Sequence, residues 1–181
     1  MKGLILLADY FEDIEALATN DLLRRAKIST ELVSMTNSRT VMSQSGLKLQ
    51  VRKLFTEIKF EDFDFLVSPG GKAVSLTHLE SKDTQSAIKY FQENNKLICA
   101  ICAAPAVLGK YGLLDGKKFT CFPSFEKYAP KGKYLPKKTV VQDGNIITSK
   151  AAGTTFDFAY KIVSYLLGKD AAKRLAKEIY S

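Results

Sequence analysis

Short apolar runs that alternate with longer amphipathic segments constrain the fold of this 181-residue chain more than any other feature. Three of them, GLILLA (3–8), FDFLVSPGG (63–71) and KLICAIC (96–102), contain the continuous apolar stretch typical of strands buried on both faces. Apolar residues recur at helical spacing over residues 13–26 and from about Lys82 to Asn94. This alternation predicts an α/β fold with a mostly parallel sheet that helices cover on both faces.

The other predicted elements complete the same pattern along the chain. They are a strand at 29–35, a short hairpin-like element at 41–54, a small-residue helix at 103–112, strands at 118–123 and 139–149, a helix at 153–168 with Thr154 or Thr155 as its cap, and a last helix at 169–180. No repeat or Pro/Ser-rich linker interrupts them, so a single domain over residues 1–181 is predicted.

Composition limits the class of protein. The hydrophobic fraction of 46% and the charged fraction of 25% are ordinary for a globular protein. No apolar run approaches the ~18 residues that a membrane span needs. Acidic residues follow the first apolar run at once, which is unlike a signal peptide. Three cysteines do not suggest a disulfide framework, and we expect a cytoplasmic protein.

The net charge of +8 comes entirely from the last part of the chain. Residues 1–109 carry 13 Lys/Arg against 13 Asp/Glu, whereas residues 110–181 carry 14 against 6. A basic face is one sign of nucleic-acid binding. No aromatic residues interleave with these lysines as in a recognisable binding module, so we favour a solvated surface and leave nucleic acid as the alternative.

Cys99 and Cys102 have the spacing of a Cys-x-x-Cys motif. On a strand, however, residues three apart point to opposite faces and lie about 10 Å apart, beyond disulfide reach. The chain has one histidine and no second Cys-x-x-Cys, so a metal site is not predicted. Cys99 is expected in the core.

Cys102 stands where the strand gives way to a helix. Ala100 and Ala104 give it the small-x-nucleophile-x-small spacing of a nucleophile elbow. A helix N-terminus would lower the pKa of this thiol, and the N–H of Ala103 would point toward an oxyanion. A buried structural cysteine is the alternative.

Two further loops follow predicted strands and could meet this cysteine. The Gly70-Gly71 pair could complete an oxyanion hole, although a plain tight turn explains it equally. Among Glu12, Asp13 and Glu15, one acid could face inward and stay protonated beside a thiolate, or all three could simply complement a helix dipole.

The single histidine, His78, is expected to face solvent rather than to act as a base. A Cys-His-Asp triad is therefore poorly supported. A cysteine activated by a helix and a carboxylic acid fits the sequence better.

The stretches FEDIEALA, SPGG, AICAAPAVL, FTCFP and GTTFDFA, in this order, resemble the DJ-1/ThiJ/PfpI superfamily over nearly the whole chain. The nearest branch looks like the bacterial ThiJ-like and YajL-like proteins. The resemblance implies a flavodoxin-like (Rossmann-like) three-layer sandwich, usually a homodimer.

The resemblance also implies roles for individual residues. Cys102 matches the reactive cysteine, Glu15 the glutamic acid that hydrogen-bonds it, and Gly71 and Ala103 the backbone donors that face the sulfur. This chain has Phe122 where some branches have a histidine, which disfavours a histidine-assisted hydrolysis and agrees with the bacterial branch.

Activities attributed to relatives include glyoxalase and deglycase action on methylglyoxal and its adducts, without metal, glutathione or another cofactor. This is the predicted function, with a small aldehyde or glycated adducts as substrates and a stress-protective role. The alternative is an oxidative-stress sensor or chaperone that acts through oxidation of Cys102 without turnover. A PfpI-type protease is a less favoured reading.

Overall fold

The computed structural model describes residues 1–180, which form eleven β-strands and five α-helices. The strands are β1 (Lys2–Leu7), β2 (Ser29–Ser34), β3 (Thr40–Met42), β4 (Lys48–Gln50), β5 (Lys53–Leu54), β6 (Phe65–Ser68), β7 (Leu97–Ile101), β8 (Lys118–Phe119), β9 (Lys133–Tyr134), β10 (Val140–Asp143) and β11 (Ile146–Ser149). The helices are α1 (Asp13–Arg25), α2 (Lys82–Glu93), α3 (Pro105–Lys110), α4 (Thr155–Leu167) and α5 (Lys169–Glu178).

A seven-stranded sheet in the order β10-β11-β7-β6-β1-β2-β5 forms the centre of the structure. All neighbouring strands in it are parallel except β10 and β11, which pair antiparallel. Every residue of β6 and β7 is buried, because helices cover both faces of the sheet. The continuous apolar runs of the sequence are therefore the inner strands.

Alternate residues of β1 divide the core into two layers. Leu4 and Leu6 belong to one apolar cluster, which includes residues of α2 and α3. Ile5 and Leu7 belong to the other, which includes residues of α1, α4 and α5. The result is a helix–sheet–helix sandwich, so the predicted flavodoxin-like three-layer fold is confirmed.

The strand order places a topological switch point beside β1. From β1 the chain continues through α1 to β2 on one side, whereas β6 and β7 lie on the other side. Parallel strands direct their following loops to one edge of the sheet, and ligands bind in the crevice where these loops diverge. The loops after β1, β6 and β7 therefore form the candidate site.

Several predicted elements are shorter than their sequence patterns indicated. The segment 41–54 forms the antiparallel pair β3–β4 and then β5, which joins the edge of the main sheet. The small-residue helix begins only at Pro105, and the strand predicted at 118–123 contains two residues. The predicted hairpin at 139–149 is confirmed, with Gly144 at φ +61° in its turn.

Thr154 stands at the cap position of α4, which is one of the two residues predicted there, but its side chain makes no cap bond. Its hydroxyl instead donates to the Ala151 carbonyl at 2.7 Å and contacts the Ser149 hydroxyl at 2.7 Å. A helix cap and a local turn compete for the same oxygen, and here the turn binds it.

None of the helices in residues 1–180 is long and apolar enough to cross a membrane.

Gly109 permits close packing between α3 and the segment that follows β8. A β-carbon at Gly109 would lie 2.6 Å from Ala129 Cβ and 2.7 Å from the Tyr128 carbonyl oxygen. We therefore expect Gly109→Ala to lower the free energy of unfolding by about 1–3 kcal/mol, because the neighbours are backbone or short side chain and must shift. Urea unfolding measures this, with Gly153→Ala as the control, since nothing lies within 4 Å there. Equal stability of the two variants would contradict the packing argument.

Candidate active site

Three loops meet at the carboxyl ends of β1, β6 and β7, as the sequence predicted. The main chain ties the first loop to the second: Phe11 forms a bridge with Gly71, and the Glu12 N–H donates to the Gly70 carbonyl at 3.2 Å. The third loop is tied to β11, because the Cys102 N–H donates to the Ser149 carbonyl at 2.9 Å. These backbone bonds fix the loops relative to one another before any side chain is considered.

Cys102 occupies a strained backbone position between β7 and α3. Its φ is +63°, a left-handed conformation that costs a residue with a β-carbon about 1–3 kcal/mol. Ala100 and Ala104 on either side are fully buried. The strain and the small neighbours are the features of a nucleophile elbow, and they make a purely structural role for Cys102 the weaker alternative.

The carboxyl of Glu15 lies beneath this cysteine. Glu15 is fully buried on the first turn of α1, and its Oε2 accepts the Gly70 N–H at 2.7 Å. Its Oε1 has no hydrogen-bonding partner among residues 1–180. The pKa of Glu15 is raised to about 7, because burial, with a smaller contribution from the charge of Glu12, outweighs the hydrogen bonds from Gly70 and Cys102 that lower it.

Glycine at position 70 allows the Cys102 side chain and the Glu15 carboxyl to approach each other. A β-carbon there would lie 2.7 Å from both Cys102 Cβ and Glu15 Oε2. The next residue, Gly71, has φ +90°, and a β-carbon on it would lie 2.4 Å from the Tyr10 carbonyl oxygen. Neither position has room for a side chain, so the glycine pair serves the site and is more than a plain turn.

Cys102 and Glu15 titrate as a coupled pair. The Cys102 sulfur accepts hydrogen bonds from the backbone N–H groups of Ala103 and Gly71, which lower its pKa, but burial and the adjacent Glu15 carboxylate raise it more. The predicted lowering by a helix N-terminus is therefore wrong for the free pair, because the thiol is buried and α3 begins three residues later. Two adjacent negative charges are unfavourable, so the Cys102 thiol keeps its proton in the pH range where the Glu15 carboxyl titrates.

An open pocket of about 610 Å³ leads to the sulfur. Glu15, Gly71, Cys102 and Ala103 all line it, which brings together every residue of the predicted site. Most of the exposed surface of its walls is apolar and comes from Leu76, Phe122, Phe125, Ala151, Ala152 and Gly153, while the polar residues Glu12, Gln44, Lys72 and Ser75 also line it.

His78 is buried, so the prediction that it faces solvent is wrong. Its Nδ1 lies 3.0 Å from the Thr84 hydroxyl, and burial lowers its pKa to about 4. Residues Val74–His78 form a π-helix, in which the Leu79 N–H reaches the Val74 carbonyl five residues back at 3.0 Å. His78 is the last residue of this π-helix and is buried there. The imidazole does not line the pocket.

Sequence reasoning missed one contributor to the site. Glu12 is the cap of α1, because its Oε2 accepts the N–H of Glu15 at 2.8 Å. It thus fixes the turn that carries Glu15 and places a negative charge nearby. The sequence offered little signal for this role, because helix caps are usually Ser, Thr, Asp or Asn rather than Glu.

The other two cysteines lie away from the pocket. Cys99 is fully buried in the cluster beneath α1 and α4, as its strand position predicted, and Cys121 is buried in the opposite cluster. All three cysteines are free. In residues 1–180 no group of three or more His, Cys, Asp or Glu side chains is placed to hold a metal ion.

A model described as the DJ-1/PfpI family matches residues 1–165. The chain belongs to the DJ-1/PfpI family. Drosophila melanogaster Protein DJ-1alpha is 38% identical over 181 residues, covering 97% of this chain and 82% of that protein. Drosophila DJ-1beta has a crystal structure that matches with a TM-score of 0.92 at 34% identity, covering 99% of this chain and 97% of that one. A cysteine-to-alanine mutant of a DJ-1 superfamily protein from Salmonella typhimurium gives 0.92 at 35% identity, with the same coverage.

Membership of the DJ-1/PfpI family confirms the resemblance seen in the sequence and supports a DJ-1-type, stress-related role. The relatives include proteins of insects, plants, fish and bacteria, so the assignment to a bacterial ThiJ-like branch stays a prediction.

The raised pKa of Glu15 in this DJ-1/PfpI-family site predicts a pH-dependent stability. A carboxyl with a folded-state pKa of about 7 binds its proton more tightly in the native state than in the unfolded state. Its contribution is therefore fully present below pH 4.5 and is lost as the pH rises through 7. In the wild type, this loss should lower the free energy of unfolding by roughly 3 kcal/mol between pH 5 and pH 8. We expect Glu15→Gln to lack this decrease.

Urea unfolding at both pH values measures this difference. Exposed Glu61 provides the control, because Glu61→Gln changes the same functional group outside the site and should keep the wild-type pH dependence. If Glu15→Gln keeps it as well, the Glu15 carboxyl does not titrate as proposed.

Proposed function

We propose that this protein is a cysteine-dependent, cofactor-independent glyoxalase/deglycase-type enzyme that acts on methylglyoxal or its adducts and protects against aldehyde stress. The observation that carries the proposal is the contact between a buried carboxyl and an elbow cysteine at the base of an open pocket. A nucleophile, a proton carrier and two backbone donors are the groups that an internal oxidation–reduction of an α-oxoaldehyde requires.

The first step adds Cys102 to the aldehyde carbon. The sulfur forms a bond to that carbon, the carbonyl electron pair moves to oxygen, and the thiol proton passes to the oxygen to give a hemithioacetal. The N–H groups of Gly71 and Ala103 face the sulfur and are available to the developing oxyanion. The raised pKa of the free thiol does not oppose this step, because Glu15 assists the transfer of the thiol proton while the sulfur–carbon bond forms.

Glu15 then carries a proton between the two substrate carbons. It removes the proton from the former aldehyde carbon and returns it to the neighbouring carbonyl carbon through an enediol, which leaves a thioester of a 2-hydroxy acid. Water hydrolyses the thioester, giving lactate from methylglyoxal and restoring the thiol. A carboxyl with a pKa of about 7 suits both directions of transfer at neutral pH, and its Oε1 is free to act.

Turnover of methylglyoxal by the purified protein tests this mechanism. We expect lactate formation by the wild type, none above background by Cys102→Ser, and a loss of about 100-fold in kcat for Glu15→Gln, the size of a general acid–base contribution. Cys99→Ala is the matched control, since Cys99 is a buried cysteine on the same strand outside the pocket. Equal turnover by the wild type and Cys102→Ser would reject the mechanism.

A second candidate function uses the same residues without turnover. The N–H groups that face the sulfur, together with a protonated Glu15, would also stabilise a Cys102 sulfinate, which supports a sensor or chaperone controlled by oxidation. In this reaction each of two peroxide molecules transfers one oxygen to the sulfur and leaves as water. A structure of Toxoplasma gondii DJ-1 described as oxidized matches this chain with a TM-score of 0.90 at 30% identity.

Mass spectrometry after mild peroxide treatment distinguishes the two candidates. We expect two oxygens on Cys102 and none on the buried Cys99 and Cys121. This selectivity together with no aldehyde turnover would favour the sensor. Equal oxidation of all three cysteines would contradict a selectively reactive Cys102 in either function.

The remaining parts of the proposal concern partners and place. We propose a homodimer in the cytoplasm, as the resemblance implied, with small aldehydes or glycated adducts as substrates. Nucleic acid stays the disfavoured partner. A PfpI-type protease is also disfavoured, because Phe122 lines the pocket and the only histidine contacts Thr84 in the core.

A further inference from the structure

We propose that Phe122 is a specificity-determining residue that selects substrates carrying an aromatic or large apolar group beside the carbon that Cys102 attacks. The inference deepens the proposed function and rests on it for the reaction. Arylglyoxals would then be better substrates than methylglyoxal.

A main-chain hydrogen bond ties Phe122 to the reactive cysteine. Its N–H donates to the carbonyl of Cys102 at 2.7 Å. Cys121 before it is fully buried, and Pro123 after it favours an extended conformation at residue 122. The side chain is 44% exposed and lines the pocket. The ring therefore borders the path by which a substrate reaches the sulfur.

A second aromatic ring supports the first. Phe125 also lines the pocket, and its ring centroid lies 6.4 Å from that of Phe122 at an interplanar angle of 72°. Behind it, the ring of Tyr128 lies 6.2 Å away and packs against the core. Edge-to-face pairs of this kind are favourable, so the wall formed by Phe122 and Phe125 is a defined surface rather than two loose side chains.

The pocket is larger and more apolar than a three-carbon aldehyde requires. Its volume of about 610 Å³ falls in the range that encloses drug-sized ligands. Leu76, 65% exposed, contributes a further apolar side chain to it, and Ala151 and Ala152 contribute methyl groups. Methylglyoxal would leave most of this surface in contact with water, whereas a phenyl group would cover more of it.

The chemistry of the ring at position 122 points to the same class of substrate. Phenylalanine has no hydrogen-bonding group, so it cannot anchor a polar substituent or move a proton. It can contact a planar apolar group through its face or edge. A substituent that meets Phe122 therefore gains by being apolar.

The ratio of kcat/KM for phenylglyoxal to that for methylglyoxal tests the inference. We expect this ratio to exceed one in the wild type, to fall about tenfold in Phe122→Ala, and to be retained in Phe122→Tyr, which keeps the ring. Phe156→Ala is the matched control: Phe156 is 45% exposed and pairs with Tyr160 at the same 6.4 Å and 72°, but it lies outside this pocket. Light scattering checks that all variants keep the same assembly.

A measurement that needs no turnover separates this inference from the proposed function. Cys102 is alkylated with iodoacetamide and with its N-phenyl analogue, and the ratio of the two rates is determined in the same variants. A lower ratio in Phe122→Ala alone supports the aromatic wall, even if no aldehyde is converted and the enzymatic proposal fails. The inference about Phe122 would be overturned if Phe122→Ala kept the wild-type ratio in both assays, or if Phe156→Ala lowered the ratios equally.

Discussion

The contact between the Glu15 carboxyl and Cys102 is the interaction on which the rest of the site depends. It joins the first turn of α1 to the end of β7. These two parts of the chain meet at the edge of the parallel sheet where β1, β6 and β7 end. Burying a carboxyl and holding a cysteine at φ +63° are both unfavourable. The apolar layers on either side of the sheet provide the stability that permits this local cost.

Features with a local cause were predictable from the sequence. A strand buried on both faces must be apolar throughout, so β1, β6 and β7 could be located without a structure. The sharp turn at Cys102 needs small neighbours, which made the elbow visible in Ala100 and Ala104. The residues alone left three candidate acids, and the family resemblance pointed to Glu15. The structure shows that Glu15 is the fully buried one, whereas Asp13 contacts Ser45 near the surface.

Features that depend on distant contacts were not predictable. His78 is buried at the end of a π-helix, and no residue pattern in the sequence predicts this rare element. The strand predicted at 118–123 is short because its continuation is held by other elements: the Thr120 N–H donates to the Thr148 hydroxyl at 3.0 Å. The direction of the Cys102 pKa likewise depends on burial and on a carboxylate 87 positions earlier in the chain, which the helix argument could not weigh.

Reactivity and specificity are held by different kinds of contact. The groups that act on a reacting carbon are fixed by backbone bonds and by glycines at 70 and 71 whose replacement the packing forbids. Phe122 is attached to the same elbow only through its main chain, so any residue with a backbone N–H could make that bond. We therefore expect that the side chain at 122 can be replaced without disturbing the Glu15–Cys102 pair, which would let the proposed selectivity vary while the reactive groups stay in place.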